Sequence, residues 1–218
     1  MKRYKAVLFD FDGVLGDTLQ DGCDAWRHAF SSVGIEFIAE EYYLAEGKRG
    51  YEFVRQVLIR ENKPESLVDD LVKMKSEVYA ARHQFKFFPR AQELSNRLMR
   101  SGVKLGVVSG GSRDRLLTGP SGELLSSFDS SVIGDDVIMG KPAPDCYLLA
   151  ANQLGVLPSE CLVIENAPLG IAAAKAAGME CYAVTTTLRA EHLSQADQIF
   201  TSLAAIEEQL IQIGIIPE

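Results

Sequence analysis

Short apolar runs recur along this chain, and between them lie segments that open on a proline and close on a glycine. Residues 5–9, 103–108, 161–164 and 181–184 each read as a buried strand, and residues 131–133 as a weaker one. Pro89 and Gly102 bracket one helical pattern, Pro144 and Gly155 a second, and Pro168 and Gly178 a third. Proline fits a helix's first turn because its missing donor is not needed there, and glycine fits just past the end because it accepts a left-handed backbone. Strands alternating with such helices predict βαβ units and an α/β fold around a parallel sheet.

Residues 16–86 break the alternation. They contain no convincing strand but several helical patterns, the clearest carrying Leu67, Val68, Leu71, Val72, Met74, Val78 and Tyr79 after the start signals Asn62 and Pro64. The expected organisation is therefore an α/β core from residues 1–15 and 87–218, with a helical insert over 16–86. At 218 residues the chain is long enough for a main domain with such an insert.

The bulk chemistry excludes some partners. Net charge is −8 and no basic cluster stands out, which argues against nucleic acid and anionic membranes. A small anionic ligand stays possible, because a bound cation and one or two lysines reverse the sign locally. The basic start is followed by an apolar run too short for a signal peptide, and no segment reaches membrane-spanning length. Cys23, Cys146, Cys161 and Cys181 have no metal-type spacing and read as reduced, buried thiols, so a cytoplasmic protein is expected. A monomer or weak dimer is expected.

In open α/β sheets, ligands bind beyond the carboxyl ends of the strands. Here those ends carry Asp10-Phe11-Asp12-Gly13, then Ser109-Gly110-Gly111-Ser112, then Lys141, then Glu165-Asn166. Each has a bland reading: a solvated turn, a loop, a surface lysine. Four in order at successive strand ends outweigh it. Asp10 is placed to attack phosphorus as a nucleophile, and Asp12 to serve as acid and then base. An anionic carboxylate approaching an anionic phosphate calls for a divalent cation, and the all-oxygen set of Asp10, Asp12, Glu165 and Asn166 points to Mg2+. Ser109, the amide near Gly110 and the Lys141 ammonium would hold the phosphoryl oxygens.

These motifs resemble the haloacid dehalogenase-like hydrolases, in the β-phosphoglucomutase-like branch with a helical cap. Asp10-Phe11-Asp12-Gly13-Val14-Leu15-Gly16-Asp17-Thr18 is similar to the family's first motif, Val108-Ser109 to its second and Gly140-Lys141-Pro142-Ala143-Pro144-Asp145 to its third. Val163 to Ile171, with Ala173 to Gly178, is similar to the fourth. The resemblance spans essentially the whole chain. It implies a Rossmann-like core with an inserted cap, Mg2+, the roles above, and a metal contact from the Asp12 backbone carbonyl. It also implies that the cap loop reads the substrate, which makes Lys48 and Arg49, with Gly13 and Gly110, the expected substrate-binding positions. The fourth motif usually reads Glu-Asp; Asn166 departs from it and leaves open whether Asn166 or Glu165 ligates the metal directly.

The expected activity is a phosphatase for a small phosphorylated metabolite, a sugar phosphate or phosphoglycolate, acting through an aspartyl-phosphate. β-Phosphoglucomutase is the alternative. The mutase resemblance includes a His four residues beyond the first motif's Thr, where this chain has Gly22. A non-catalytic binding protein of the same fold is the third reading. His28, His83 and His192 lie outside every motif, and Trp26, Tyr42 and Tyr43 read as packing residues.

Overall fold

The computed structural model describes residues 4–217 apart from 83, 112 and 118, with the backbone alone at residue 114. His83 and Ser112 therefore lie outside the described residues.

After β1 (Ala6–Phe9) come α1 (Leu19–Ser31), α2 (Ala39–Leu44), α3 (Gly50–Arg60) and α4 (Val68–Arg82). The chain continues with α5 (Ala91–Arg100), β2 (Lys104–Ser109), α6 (Arg113–Leu116), α7 (Gly119–Leu125) and β3 (Ser130–Ile133). It ends with α8 (Asp145–Leu154), β4 (Cys161–Glu165), α9 (Pro168–Ala176), β5 (Glu180–Val184), β6 (Gln198–Phe200) and α10 (Leu203–Gln212). Among the described residues one parallel sheet forms, in the order β3-β2-β1-β4-β5-β6.

The centre of the sheet is buried on both faces: β1 is apolar at every position, and β4 is apolar up to Glu165. Val7 and Phe9 join one core with Leu94 and Leu98 of α5 and Ile206 and Leu210 of α10. Ala6 and Leu8 point the other way, to Tyr147 and Ala150 of α8 and Ile171 and Ala174 of α9. The register sets Phe9 level with Val107 and Ile164, so Asp10, Ser109 and Glu165 emerge side by side. With β2 on one side of β1 and β4 on the other, this is the reversal point of the strand order, where α/β sheets open a crevice.

The helices of residues 16–86 enclose a separate aromatic cluster. Phe53 sits at its centre, with ring centroids 5.6 Å from Trp26, 6.0 Å from Phe30 and 5.9 Å from Tyr42. The chain enters and leaves this region side by side: the Asp17 amide donates to Lys86 O and the Phe88 amide to Leu15 O, each at 2.9 Å. Among the described residues no helix is long and apolar enough to cross a membrane.

All five predicted strands form, and the three bracketed helices appear as α5, α8 and α9. The sequence pattern does not predict α6, α7, β6 or α10. β6 is three residues at the sheet's edge with an incompletely buried Gln-Ile-Phe pattern, too short for a periodicity to register.

A Cβ built at Gly106 would stand 2.7 Å from Leu8 Cδ2. Leu8→Ala should cost about 3 kcal/mol through the cavity it leaves, and Gly106→Ala about 1–3 kcal/mol through overpacking. The double variant should be more stable than the sum of the two losses by at least about 0.5 kcal/mol, because the new methyl fills part of the cavity. Urea unfolding of all four proteins measures this, and strict additivity would rule the contact out.

Candidate active site

Lys141 sits at the centre of the strand ends. Its Nζ donates to Asp10 Oδ1 and to Glu165 Oε1, each at 2.6 Å, and to Val108 O at 3.3 Å. All three side chains are almost wholly buried. Glu165 is fully engaged: Oε1 also accepts from the Tyr147 hydroxyl at 2.9 Å, and Oε2 from the amides of Asn166 and Ala167 at 2.8 and 3.1 Å. Asp10 is half engaged, since its buried Oδ2 has no partner. Burial, with the Glu165 and Asp12 carboxylates, pushes the Asp10 carboxyl up against the opposing pull of Lys141. Burial alone would lower the Lys141 ammonium, but Asp10 and Glu165 outweigh it and raise it.

Asp12 faces a different set of donors. Oδ1 accepts from Thr18 Oγ1 and, at 2.6 Å, from Arg115 Nη1; Oδ2 accepts from Arg115 Nη2 and, at 3.3 Å, from Ser109 Oγ. Burial raises this carboxyl, but the guanidinium beside it and the Thr18 hydroxyl hold it below the usual carboxylate range. Ser109 Oγ in turn accepts from the Gly111 amide at 3.0 Å. The two aspartates two residues apart are thus driven in opposite directions, Asp10 toward its neutral form and Asp12 toward its anion.

The helical region closes over this cluster. Gly47, at φ +93°, packs on the Lys141 stem, where a Cβ would come within 3.0 Å of Cδ; a Cβ at Gly110 would stand 3.0 Å from Gly47 O. The glycines let two loops meet over the lysine. Lys48 donates to Gln56 Oε1 at 2.6 Å. Arg49 Nη2 donates to the Gly134 carbonyl at 3.0 Å and to that of Val137, so it ties this loop to the core. Gly13, at φ +87°, presses on the Asn166 amide, its N–H bonds Gly16 O at 2.8 Å and its O accepts from Thr186 Oγ1 at 2.5 Å. A cavity of about 340 Å3 lies between, lined by Asp12, Thr18, Glu46, Lys75, Tyr79 and Arg115 among others. Burial and the Arg115 charge lower the Lys75 ammonium to about 8. Burial, then Asp12 and Asp10, raise Glu46 well above the carboxylate range and favour its neutral form.

The strand ends also fit a hard cation. Among the described residues no three His, Cys, Asp or Glu side chains group to hold an ion by themselves. Two buried side-chain oxygens nevertheless lack partners, Asp10 Oδ2 and Asn166 Oδ1, and Asn166 Nδ2 is turned away to Thr187 Oγ1 at 3.1 Å. Buried oxygens without donors are what an oxygen-liganded Mg2+ would satisfy.

The structure thus brings Asp10, Asp12, Ser109, Lys141, Glu165 and Asn166 together, with Gly13 and Gly110 against them and Lys48 and Arg49 on the rim. Sequence reasoning missed Arg115, Lys75, Glu46 and Tyr147. Arg115 lies six residues beyond Ser109, in the short α6; Lys75 lies four residues before Tyr79, a helical spacing that puts a charge and a ring on one face.

The family description for a haloacid dehalogenase-like hydrolase matches residues 4–178. Validoxylamine A 7'-phosphate phosphatase of Streptomyces hygroscopicus subsp. limoneus is 34% identical over 210 residues, covering 93% of this chain and 96% of its own. Protein SUPPRESSOR OF QUENCHING 1, chloroplastic, of Arabidopsis thaliana is 34% identical over 200 residues, but the 89% of this chain that aligns spans only 19% of that protein. Among solved structures, a protein of Bacteroides vulgatus named as a candidate β-phosphoglucomutase superposes with a TM-score of 0.86 at 31% identity, over 100% of this chain and 92% of that one.

Two substitutions separate the metal roles. Asn166→Asp should tighten Mg2+ about tenfold, roughly 1.4 kcal/mol, because an ion–ion attraction replaces an ion–dipole one. Glu165→Gln should cost about 1–3 kcal/mol of stability, because one of the two oxygens becomes an NH2 and either Lys141 and Tyr147 or the two amides lose their acceptor. It should change Mg2+ affinity by less than about threefold, since neither Glu165 oxygen is spare. Titration calorimetry and urea unfolding read the two effects; the reverse pattern would make Glu165 the direct ligand.

Proposed function

The chain belongs to the haloacid dehalogenase-like hydrolases and is a phosphoric monoester hydrolase, and from that premise we propose that it hydrolyses a small phosphorylated metabolite, of sugar-phosphate or phosphoglycolate type, through an aspartyl-phosphate on Asp10. The observation that carries the reading is the asymmetry of Asp10: Oδ1 is fixed by Lys141 while the buried Oδ2 has no partner. A carboxylate held by one oxygen and bare at the other is oriented for attack.

In this reading Asp12, which its pairing with Arg115 holds as the anion, takes up a proton before it acts; Asp10 Oδ2 then attacks phosphorus, the P–O ester bond breaks and the ester oxygen leaves with that proton. A water then attacks the acyl phosphate, Asp12 takes its proton, and Asp10 is returned with inorganic phosphate. Lys141 and the Ser109 hydroxyl, beside the nucleophile, hold phosphoryl oxygens as charge redistributes. Mg2+, held by Asp10, Asn166 and the Asp12 carbonyl, would supply neutralisation of phosphoryl charge. Residues 16–86 act as a cap over a core of residues 1–15 and 87–218, with the Arg49 bonds to Gly134 and Val137 drawing the two together and Lys48 at the cavity's edge. The four cysteines are buried and unpaired, in keeping with a reducing cytoplasmic setting.

Hydrolysis is favoured over mutase transfer by Gly22. A Cβ there would stand 2.5 Å from the Tyr42 hydroxyl, so the tyrosine fills the space that a side chain at this position would need. A histidine does not enter without displacing it. The third reading, a non-catalytic binding protein, is disfavoured by the intact Asp10–Lys141 pair.

Asp10→Asn should lower phosphate release to below about one per cent of wild type while moving the thermal midpoint little, since the amide is isosteric but a poor nucleophile. Exhaustive chelation should stop release and Mg2+ restore it. With β-glucose 1-phosphate, any product should be inorganic phosphate rather than glucose 6-phosphate. Turnover in Asp10→Asn, or efficient glucose 6-phosphate formation, contradicts the reading.

A further inference from the structure

Arg115 does something the proposed mechanism cannot use as it stands. Its guanidinium takes both oxygens of Asp12, which Thr18 and Ser109 also hold. A carboxylate offers about four lone-pair sites, and here each is directed at a donor of the protein. So engaged, Asp12 cannot turn to a leaving oxygen or a water. Something must draw the guanidinium off before proton transfer begins.

The same cavity holds a cation with no counter-ion. Lys75 Nζ rests over the rings of Tyr79 at 4.7 Å and Trp26 at 5.6 Å, and among the described residues no carboxylate pairs with it. Arg115 reaches the same ring, 5.9 Å from the Tyr79 centroid, and also lies 6.0 Å from that of Phe11. Glu46 shares the cavity, but it is pushed toward its neutral form and ion-pairs with neither. Two cations thus share one aromatic wall of the cavity above Asp12, one paired with the acid/base and one with no carboxylate at ion-pair distance among the described residues.

We propose that Arg115 is a positioning residue that parks Asp12, and that a second anionic group on the substrate, taken between Arg115 and Lys75, draws the guanidinium away and frees Asp12 to act. No bond is made or broken: an ion pair within the protein is exchanged for one with the substrate, and Lys75 gains the anion it lacks. The inference rests on the phosphatase reading and narrows it to phosphate esters that carry a carboxylate or a second phosphate a few atoms from the scissile group. Esters whose only charge is the scissile phosphate leave the clamp closed and turn over slowly.

A matched series tests this: ethyl phosphate, phosphoglycolate and ethanediol bisphosphate, with Mg2+-loaded enzyme and phosphate release as readout. Wild type should favour one or both two-anion esters over ethyl phosphate by about 100-fold in kcat/KM, and which one is preferred identifies the second anion as carboxylate or phosphate. Arg115→Met should remove most of that preference from both sides, lowering kcat/KM for the two-anion esters about 100-fold while raising kcat for ethyl phosphate about threefold or more. Arg115→Lys should recover part of the two-anion rate. A purely structural arginine would lower all three substrates together, and that result, or a wild type without preference, overturns the proposal. Calorimetry on Asp10→Asn, with and without Arg115→Met, keeps the two readings apart. Loss of phosphoglycolate affinity with ethyl phosphate affinity unchanged supports the anion subsite even if no ester is hydrolysed. Hydrolysis of all three esters with equal dependence on Arg115 leaves the phosphatase standing and removes the subsite.

Discussion

The buried Lys141 ammonium between Asp10 and Glu165 is the contact on which the other features of the site depend. Three charged side chains, each no more than 5% exposed, are tolerable only because the ammonium lies between the two carboxylates and almost every remaining lone pair is met. Removing the Lys141 ammonium leaves the Asp10 and Glu165 carboxylates facing each other in low dielectric, at a cost of about 3–5 kcal/mol. The group also fixes geometry. It ties the ends of β1 and β4 to the segment leading into α8, and Tyr147 and the first amides of the turn into α9 hold Glu165 still. Asp10 is therefore oriented by one oxygen and bare at the other as a consequence of packing.

Much of this was legible in the sequence. The strands declared themselves because a strand buried on both faces is apolar at every position, as in residues 6–9. The helices α8 and α9 declared themselves through Pro144, Gly155, Pro168 and Gly178. The order of reactive residues at strand ends then placed Asp10, Asp12, Ser109, Lys141 and Glu165 in one crevice before any coordinates. Arg115, Lys75 and Glu46 stayed hidden for a physical reason. Each sits on a helix or loop with other charges, as in the run Arg113-Asp114-Arg115, and a charge that faces a cavity has the same local pattern as one that faces water. Only the approach of α4 to α6 across the crevice distinguishes them.

Arg49 shows the same limit from the other side. A basic pair between glycines reads equally well as a solvated turn and as a substrate grip. The structure gives Arg49 Nη2 carbonyl partners on the core, Gly134 and Val137, which join two parts of the chain. Tyr42 makes a related point. It packs with Phe53 and Phe37 like any core aromatic, yet its hydroxyl occupies the space above Gly22. One residue is both packing and a steric statement about what position 22 admits.

Asn166 and Arg115 belong to a single electrostatic argument. Asp10, Asp12 and Glu165 bring three negative charges to the crevice, and Lys141, Arg115 and Lys75 bring three positive ones, with Glu46 pushed toward neutrality. An aspartate at position 166 would leave that set net negative before any phosphate arrived, and at an effective dielectric of about 20 a like charge 4 Å away costs roughly 4 kcal/mol. The amide keeps an oxygen facing the site without that repulsion. Arg115 acts in the same direction, placing a positive charge beside Asp12. Both residues make the crevice more receptive to anions, and their effect is largest for a ligand with more than one. With an amide at position 166 and a guanidinium beside Asp12, the crevice is electrostatically matched to a ligand more highly charged than a simple monoester.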